Sequence, residues 1–266
     1  MAFVFAPLFS GSSGNALYAR CGEDSILIDA GLAAKKIEAE AAKAGGDLSA
    51  LNAIFVTHEH ADHVAGVGIL MRKYHVPVYA TGLTWEAMEE KLGRIPQECV
   101  REIRPGGEVD IGCLHVRSFP IPHDAACPVG YTVEHGGHKV AVATDLGHIE
   151  DTWMDAAAGA DILLLEANHD VDTLRVCRYP YELKMRILGP KGHLSNDDAG
   201  KAAAELAKRG VRSLILGHLS QENNFPQLAW ESVAVQLRRE GINIPMAVAS
   251  RSGLSGVYPL DEETGA

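Results

Sequence analysis

Six consecutive residues concentrate chemistry at the end of an apolar run: His58-Glu59-His60-Ala61-Asp62-His63, preceded by Ile54-Phe55-Val56-Thr57. On extended backbone His58 and His60 project to the same side, because strand side chains alternate with a period of two. Asp62 and His63 follow where the chain should turn into a helix. The run offers four metal-ligand side chains in six residues, a set that can divide between two adjacent ions. Imidazole together with carboxylate suits zinc, manganese or iron.

Three further candidates each close an apolar run. His123 follows Phe119-Pro120-Ile121-Pro122, Asp145 follows Val140-Ala141-Val142-Ala143-Thr144, and His218 follows Leu214-Ile215-Leu216-Gly217. Singly, each reads equally well as a turn residue. Together with the first cluster they make five histidines and two aspartates, enough for two ions with positions left for water. Asp29 closes Ile26-Leu27-Ile28 in the same way.

Three segments outside this set bear on substrate. The loop Ser10-Gly11-Ser12-Ser13-Gly14-Asn15 offers hydroxyls and glycine-permitted amides that can hold an anion, with Ser12, Ser13 and Asn15 as contacts; it also reads as a plain hairpin turn. Glu166, His169 and Asp170 end the run Leu163-Leu164-Leu165, while His193, Ser195 and Asn196 sit in Gly192-His193-Leu194-Ser195-Asn196. Between these two, residues 174–192 carry Arg175, Arg178, Lys184, Arg186 and Lys191 against one acid, Glu182. Tyr179 and Tyr181 in that stretch can stack on bases, with Arg178 and Lys184 as phosphate contacts. The competing reading is a solvated helical face.

These side chains need strands that end together. Alternation, Val/Ile enrichment and Gly/Asp punctuation predict strands over 3–9, 15–20, 25–29, 52–57 and 77–80, a run of strands within 100–143, then 161–166, 212–216, 246–249 and 255–258. Helices are predicted over 33–44, 62–73, 83–92, 149–157, 170–176, 180–188, 197–208 and 226–239. Ser195 or Asn196 can cap the helix at 197–208, with Asp197 and Asp198 in its first turn. Strands followed by helix–strand units, in two similar halves, imply two sheets face to face with helices outside.

The bulk properties fit one large domain spanning 1–266. With 47% hydrophobic residues a sizeable core is possible. No apolar run reaches the length of a membrane span, and the N-terminus reads as a first strand, lacking the basic region and cleavage site of a signal peptide. Five cysteines, an odd number with no CxxC pair, point to free thiols in a reducing cytoplasm. A net charge of −11 argues against a non-specific polyanion binder, while leaving room for a local basic groove or for bound cations.

The ligand pattern resembles the metallo-β-lactamase superfamily across nearly the whole chain. The resemblance implies a four-layer αββα sandwich with a dinuclear metal site at the edge of the two sheets. His58, His60 and His123 would hold one ion, Asp62, His63 and His218 the other, and Asp145 would bridge them. Asp29 would sit behind the ligands and orient a histidine. Glu166 and His193 resemble the pair that, in the tRNA-processing ribonuclease Z group, protonates the leaving oxygen; His193 would be the general acid and Glu166 its partner. Asp62 would also accept a hydrogen bond from the nucleophile. The segments SGSSGN, THEHADH, IPHDAACPVGY, TDLG, LLLEANHD, RYPYELKMRI, GHLSN and LGHLSQENN resemble the YycJ/WalJ group of exonuclease-like cytoplasmic proteins tied to DNA metabolism, including mismatch repair. That implies a metal-dependent phosphodiesterase on nucleic acid, DNA favoured over RNA, using two divalent ions, zinc or manganese with iron as the alternative. The rival is a small-molecule hydrolase of a cyclic phosphodiester, thioester or lactone, which would share the metal ligands. Oligomeric state is not legible.

Overall fold

In the computed structural model, residues 2–260 are described. The first half runs β1 (Phe3–Phe9), β2 (Ala16–Cys21), β3 (Asp24–Ile28), α1 (Ala34–Lys43), β4 (Ala53–Phe55), α2 (Ala61–Val64), α3 (Val67–Tyr74), β5 (Val78–Ala80), α4 (Gly82–Leu92) and β6 (Val100–Glu102). The second half runs β7 (Glu108–Ile111), β8 (Leu114–Pro120), β9 (Val129–His135), β10 (His138–Ala143), α5 (Asp151–Ala157), β11 (Ile162–Glu166), α6 (Val171–Val176), α7 (Tyr181–Ile187), α8 (Asn196–Lys208), β12 (Ser213–Gly217), α9 (Pro226–Arg239), β13 (Met246–Val248) and β14 (Tyr258–Leu260).

The strands form two seven-stranded sheets, ordered β14-β1-β2-β3-β4-β5-β6 and β13-β12-β11-β10-β9-β8-β7. Each is antiparallel on one side and parallel on the other: β3 to β6 run parallel, as do β10 to β13. Parallel strands are buried on both faces, which is why Ile162-Leu163-Leu164-Leu165 reads as an unbroken apolar run. Phe3, Phe5, Phe55, Tyr131, Val142 and Ile215 fill the space between the sheets. One outer layer packs Ile37, Leu70 and Met88 of α1, α3 and α4 on the first sheet. The other packs Trp153, Ala203 and Val233 of α5, α8 and α9 on the second. This is the αββα sandwich.

Two elements depart from the expectation. The helix over 62–73 is two helices, broken at Gly66: its amide donates to Ala30 O at 2.7 Å, and a Cβ there would meet Leu32 O at 2.3 Å. The loop after β3 thus takes the hydrogen bond that a continuous helix would use. The last strand lies at Tyr258–Leu260, paired with β1 from Phe3 to Phe5, rather than at 255–258. Ser255 is instead drawn to Pro7 O and to Ser250 N. The helix N-termini follow side-chain chemistry: the hydroxyls of Thr81 and Ser195 cap α4 and α8.

Candidate metal centre and active site

All the strand ends that matter lie on one rim. β3, β4, β10, β11 and β12 end there, and β8 joins them because it and β10 are both antiparallel to β9. Asp29, Asp145 and His218 leave their strands in the left-handed region, with φ of 62°, 60° and 54°. Asp and His tolerate that region better than most residues. Held there by their surroundings, the three turn side chains across the rim instead of continuing the pleat.

Two trios of donors converge on this rim: His58, His60 and His123, and Asp62, His63 and His218. Asp145 lies between them, 3.4 Å from His63 Nε2, 3.6 Å from His123 Nε2 and 3.5 Å from His218 Nε2. Most of the imidazoles have one nitrogen occupied from behind, which fixes the other toward the rim. His63 Nδ1 donates to Asp29 Oδ2 at 2.7 Å, His123 Nδ1 to Gly192 O at 3.1 Å and His218 Nδ1 to Glu166 Oε1 at 3.0 Å. His58 Nδ1 is 3.0 Å from Thr57 Oγ1. His58 Nε2 and His123 Nε2 then face His60 Nδ1 at 3.0 and 3.3 Å.

The site's electrostatics fit a cation. Asp145 Oδ2 and His218 Nε2 are buried without a hydrogen bond, although buried polar atoms are nearly always paired. Burial, reinforced by His63, His123 and His60, holds His58 well below the usual imidazole range, so it is neutral and able to ligate. Burial works against charge on His63 too, but Asp29, Asp145 and Asp62 outweigh it and raise that histidine well above its ordinary value. His218 is pushed up to about 10: burial opposes, and Asp145, Asp62 and Glu166 prevail. The carboxylates therefore draw positive charge onto their neighbours, which is the demand a divalent ion would meet.

Glu166, buried at the end of β11, uses both oxygens. Oε2 accepts from Leu146 N at 2.7 Å and Leu194 N at 3.1 Å, while Oε1 accepts from His193 Nδ1 at 2.8 Å and His218 Nδ1 at 3.0 Å. With Nδ1 so occupied, His193 directs Nε2 into the cavity over the candidate donors. Burial would lower its affinity for a proton, but Glu166 and then Asp145 raise it above the ordinary histidine value.

The cavity has a volume of about 390 Å³ and is lined by Ser12, His60, Asp62, Asp124, Asp145, Asn168, Tyr179, Leu183, Arg186, Ile187, His193, His218 and Ser220 among others. A larger groove of about 470 Å³ lies at the starts of β10 to β12 and along β13 and β14, lined largely by apolar side chains such as Leu214, Met246 and Pro259. It is remote from these donors.

The remaining sequence candidates divide. Ser12 lines the cavity, whereas Ser13 is exposed and is not among the lining residues. Asn15 is buried: Oδ1 accepts from Gly11 N at 3.0 Å and Nδ2 stands 3.2 Å from His63 Nε2, so it shapes the first loop against the ligands. Ser195 caps α8, and Asn196 bonds Asn224 rather than the cavity. His169 is buried with neither ring nitrogen partnered, and burial above all pushes it down to about 4, keeping it neutral. Arg178 is exposed outside the cavity lining. Lys184 spends its ammonium on the carbonyls of Arg175 and Cys177, at 2.7 and 2.8 Å. The cation that does reach the cavity is Arg186, braced by the carboxylate of Asp124. Sequence reasoning passed over Asp124, Asn168, whose amide donates to His218 O at 2.9 Å, and Ser10, whose hydroxyl accepts from His218 N at 2.9 Å. Asp124 and Asn168 adjoin His123 and His169, and Ser10 heads the loop that carries Ser12 and Ser13, which was the available signal.

Sandwich and donor set together define a metallo-β-lactamase-fold hydrolase. The chain belongs to the β-lactamase superfamily: the family model described as "Beta-lactamase superfamily domain" matches residues 24–219. It is 40% identical over 244 residues to the exodeoxyribonuclease YycJ of Bacillus anthracis, spanning 92% of each chain. It is 38% identical over 244 residues to the exodeoxyribonuclease WalJ of Streptococcus pneumoniae, spanning 91% of each. Among solved structures, the metallo-β-lactamase-fold protein YhfI of Bacillus subtilis superposes with a TM-score of 0.74 at 18% identity, covering 97% of this chain and 100% of its own. Among the described residues, no helix is long and apolar enough to cross a membrane.

Proposed function

We propose that this protein is a metal-dependent exodeoxyribonuclease acting in DNA repair. The observation that carries the reading is the Glu166–His193 pair, 2.8 Å apart, beside the two donor trios. Breaking a phosphodiester requires a proton for the departing alkoxide, and a positioned imidazolium supplies it. The names of the YycJ and WalJ relatives support DNA as the polymer.

His58, His60 and His123 would hold one divalent ion and Asp62, His63 and His218 the other, with Asp145 shared; zinc or manganese suits this donor set, and iron is the alternative. Divalent ions at such a site supply a nucleophilic water at neutral pH and neutralise charge on the phosphate. The chain's own groups do the rest. Asp62, kept ionised by His63 and His218 against the cost of its burial, accepts a hydrogen bond from the attacking water and orients it. Glu166 keeps the proton on His193 Nδ1 and favours the imidazolium, so that Nε2 passes its proton to the leaving oxygen. Arg186 and Ser12 contact the phosphate backbone where it enters. Tyr179 and Leu183 form the apolar wall against which a base packs.

The test is incubation of metal-reconstituted protein with end-labelled single- and double-stranded DNA and RNA, with His60→Ala as control. Stepwise metal-dependent shortening of DNA is expected. Intact polymers alongside turnover of a small phosphodiester or thioester would keep the metal site and sink the substrate assignment.

A further inference from the structure

Far from the active-site rim, the fold gathers a second set of ligating side chains from three distant stretches. Cys21 is the last residue of β2, Cys113 lies in the turn between β7 and β8, and His135 is the last residue of β9. β2 is antiparallel to β3, and β9 is antiparallel to β10. These residues therefore sit at the opposite end of the sandwich from Asp29 and Asp145. One donor atom of each lies within 4.8 Å of the other two. We propose that Cys21, Cys113 and His135 form a zinc-class metal site that clips the two sheets together at this end.

The donor set is soft, two thiols and an imidazole, which selects zinc over magnesium or calcium. Tetrahedral zinc with thiolate bonds of ~2.3 Å would hold its sulfurs about 3.8 Å apart, so closure needs movements of roughly an ångström or less. The imidazole is prepared for it. Its Nδ1 lies 2.9 Å from the carbonyl of Cys113. A carbonyl only accepts, so Nδ1 carries the proton and Nε2 keeps the lone pair, the arrangement found behind metal-bound histidines. Around the trio, Asp24 Oδ2 accepts from Cys113 N at 2.8 Å and the Cys113 thiol donates to Cys21 O at 3.2 Å, which fixes Cys113 in place. Asp24 fits there because residue 112 is glycine: a Cβ would meet the carboxylate at 2.0 Å. Cys21 and Asp24 belong to the first sheet, Cys113 and His135 to the second. An ion held by the trio would tie the layers where two hydrogen bonds from Cys113 already join them. The site is independent of the reaction at the other rim.

The candidate active-site donors include no sulfur, so spectroscopy separates the two sites. The full-length protein, reduced and then loaded with cobalt(II), is expected to show a thiolate-to-cobalt charge-transfer band in the near ultraviolet. The band should disappear in Cys113→Ser and weaken in His135→Gln, a half-exposed position where the fold is retained, while persisting in His60→Ala. Metal content should fall by one equivalent in Cys113→Ser. Absence of the band in reduced wild-type protein would overturn the proposal. So would a band that survives both substitutions, which would belong to other cysteines. A Cys21–Cys113 disulfide recovered by non-reducing peptide mapping of alkylated cell lysate would overturn it as well.

Discussion

Replacing Glu166 by Gln changes one atom and should disturb both halves of the site. The carboxylate accepts four hydrogen bonds, two from imidazoles on Oε1 and two from backbone amides on Oε2. A carboxamide has one accepting oxygen, so its NH₂ must face one pair of donors. Turned toward Leu146 and Leu194, it would leave two buried amides unpaired, at about 1–3 kcal/mol each. The favoured orientation keeps its oxygen on those amides and points the NH₂ at Nδ1 of His193 and His218. Both imidazoles must then move their proton to Nε2. For His218 that is the atom facing Asp62 and Asp145 at 3.6 and 3.5 Å, and a protonated nitrogen cannot ligate. Metal affinity should fall roughly 10–100-fold, as when a ligand's supporting partner is lost. His193 also loses a full negative charge, and its proton affinity should fall by about 1–3 pH units. With His193 in the proposed general-acid role, activity is present below its pKa and is lost as pH rises through it. The alkaline limb of kcat, measured at saturating metal, should therefore move to lower pH by that amount. Calorimetric metal titration and a pH–rate profile read the two effects separately. An unchanged alkaline limb with unchanged metal affinity would refute the reasoning.

His193→Ala should retain wild-type metal content by elemental analysis while kcat drops by ~10²–10⁴; full activity would remove the general-acid role. Gly31→Ala should distort the ligand loop, since a Cβ would meet the Asp62 carbonyl at 1.6 Å. A loss of roughly 1–3 kcal/mol in chemical denaturation, with weakened metal binding, is expected, and a variant matching wild type in both would be inconsistent with this packing. Arg186→Ala should raise KM for polymer more than it lowers kcat and reduce the salt slope of binding by about 1; an unaltered slope would place the phosphate contact elsewhere. Asp145→Ala should remove metal and activity together, and metal retained in full would show the trios to be independent of it.

The αββα layering was legible because Ile162–Leu165 and Leu214–Leu216 are unbroken apolar runs and α8 between them carries its serine cap. The rim positions of His123, Asp145 and His218 were legible for the same reason, as each ends such a run. The capping of α8 by Ser195 was legible too, but the roles of Asn15 and Asn196 were not. Their side chains turn inward to the amide of Gly11 and to Asn224, choices settled by backbone geometry that residue type leaves open. Lys184 and Arg186 share one helix, and which of the two meets the cavity depends on how α7 docks. The break at Gly66 was hidden because its cause is a carbonyl at Ala30, 36 residues earlier. Cys21 and Cys113 are 92 residues apart, and their meeting follows from sheet packing that no local pattern announces.

The bond from His218 N to Ser10 Oγ spans 208 residues, and the first strand is flanked by the last, β14. During synthesis, the N-terminal strand must wait for nearly the whole chain before its outer edge is covered. His58, His60, Asp62 and His63 emerge from the ribosome long before His218, so the early segment holds two members of each trio without the closing ones. A nascent chain stalled before Gly217 would hold the His58, His60 and His123 trio and Asp145, but not the member that closes the second trio. Closure of the second trio therefore waits until the strand that ends at Gly217 has been made and paired.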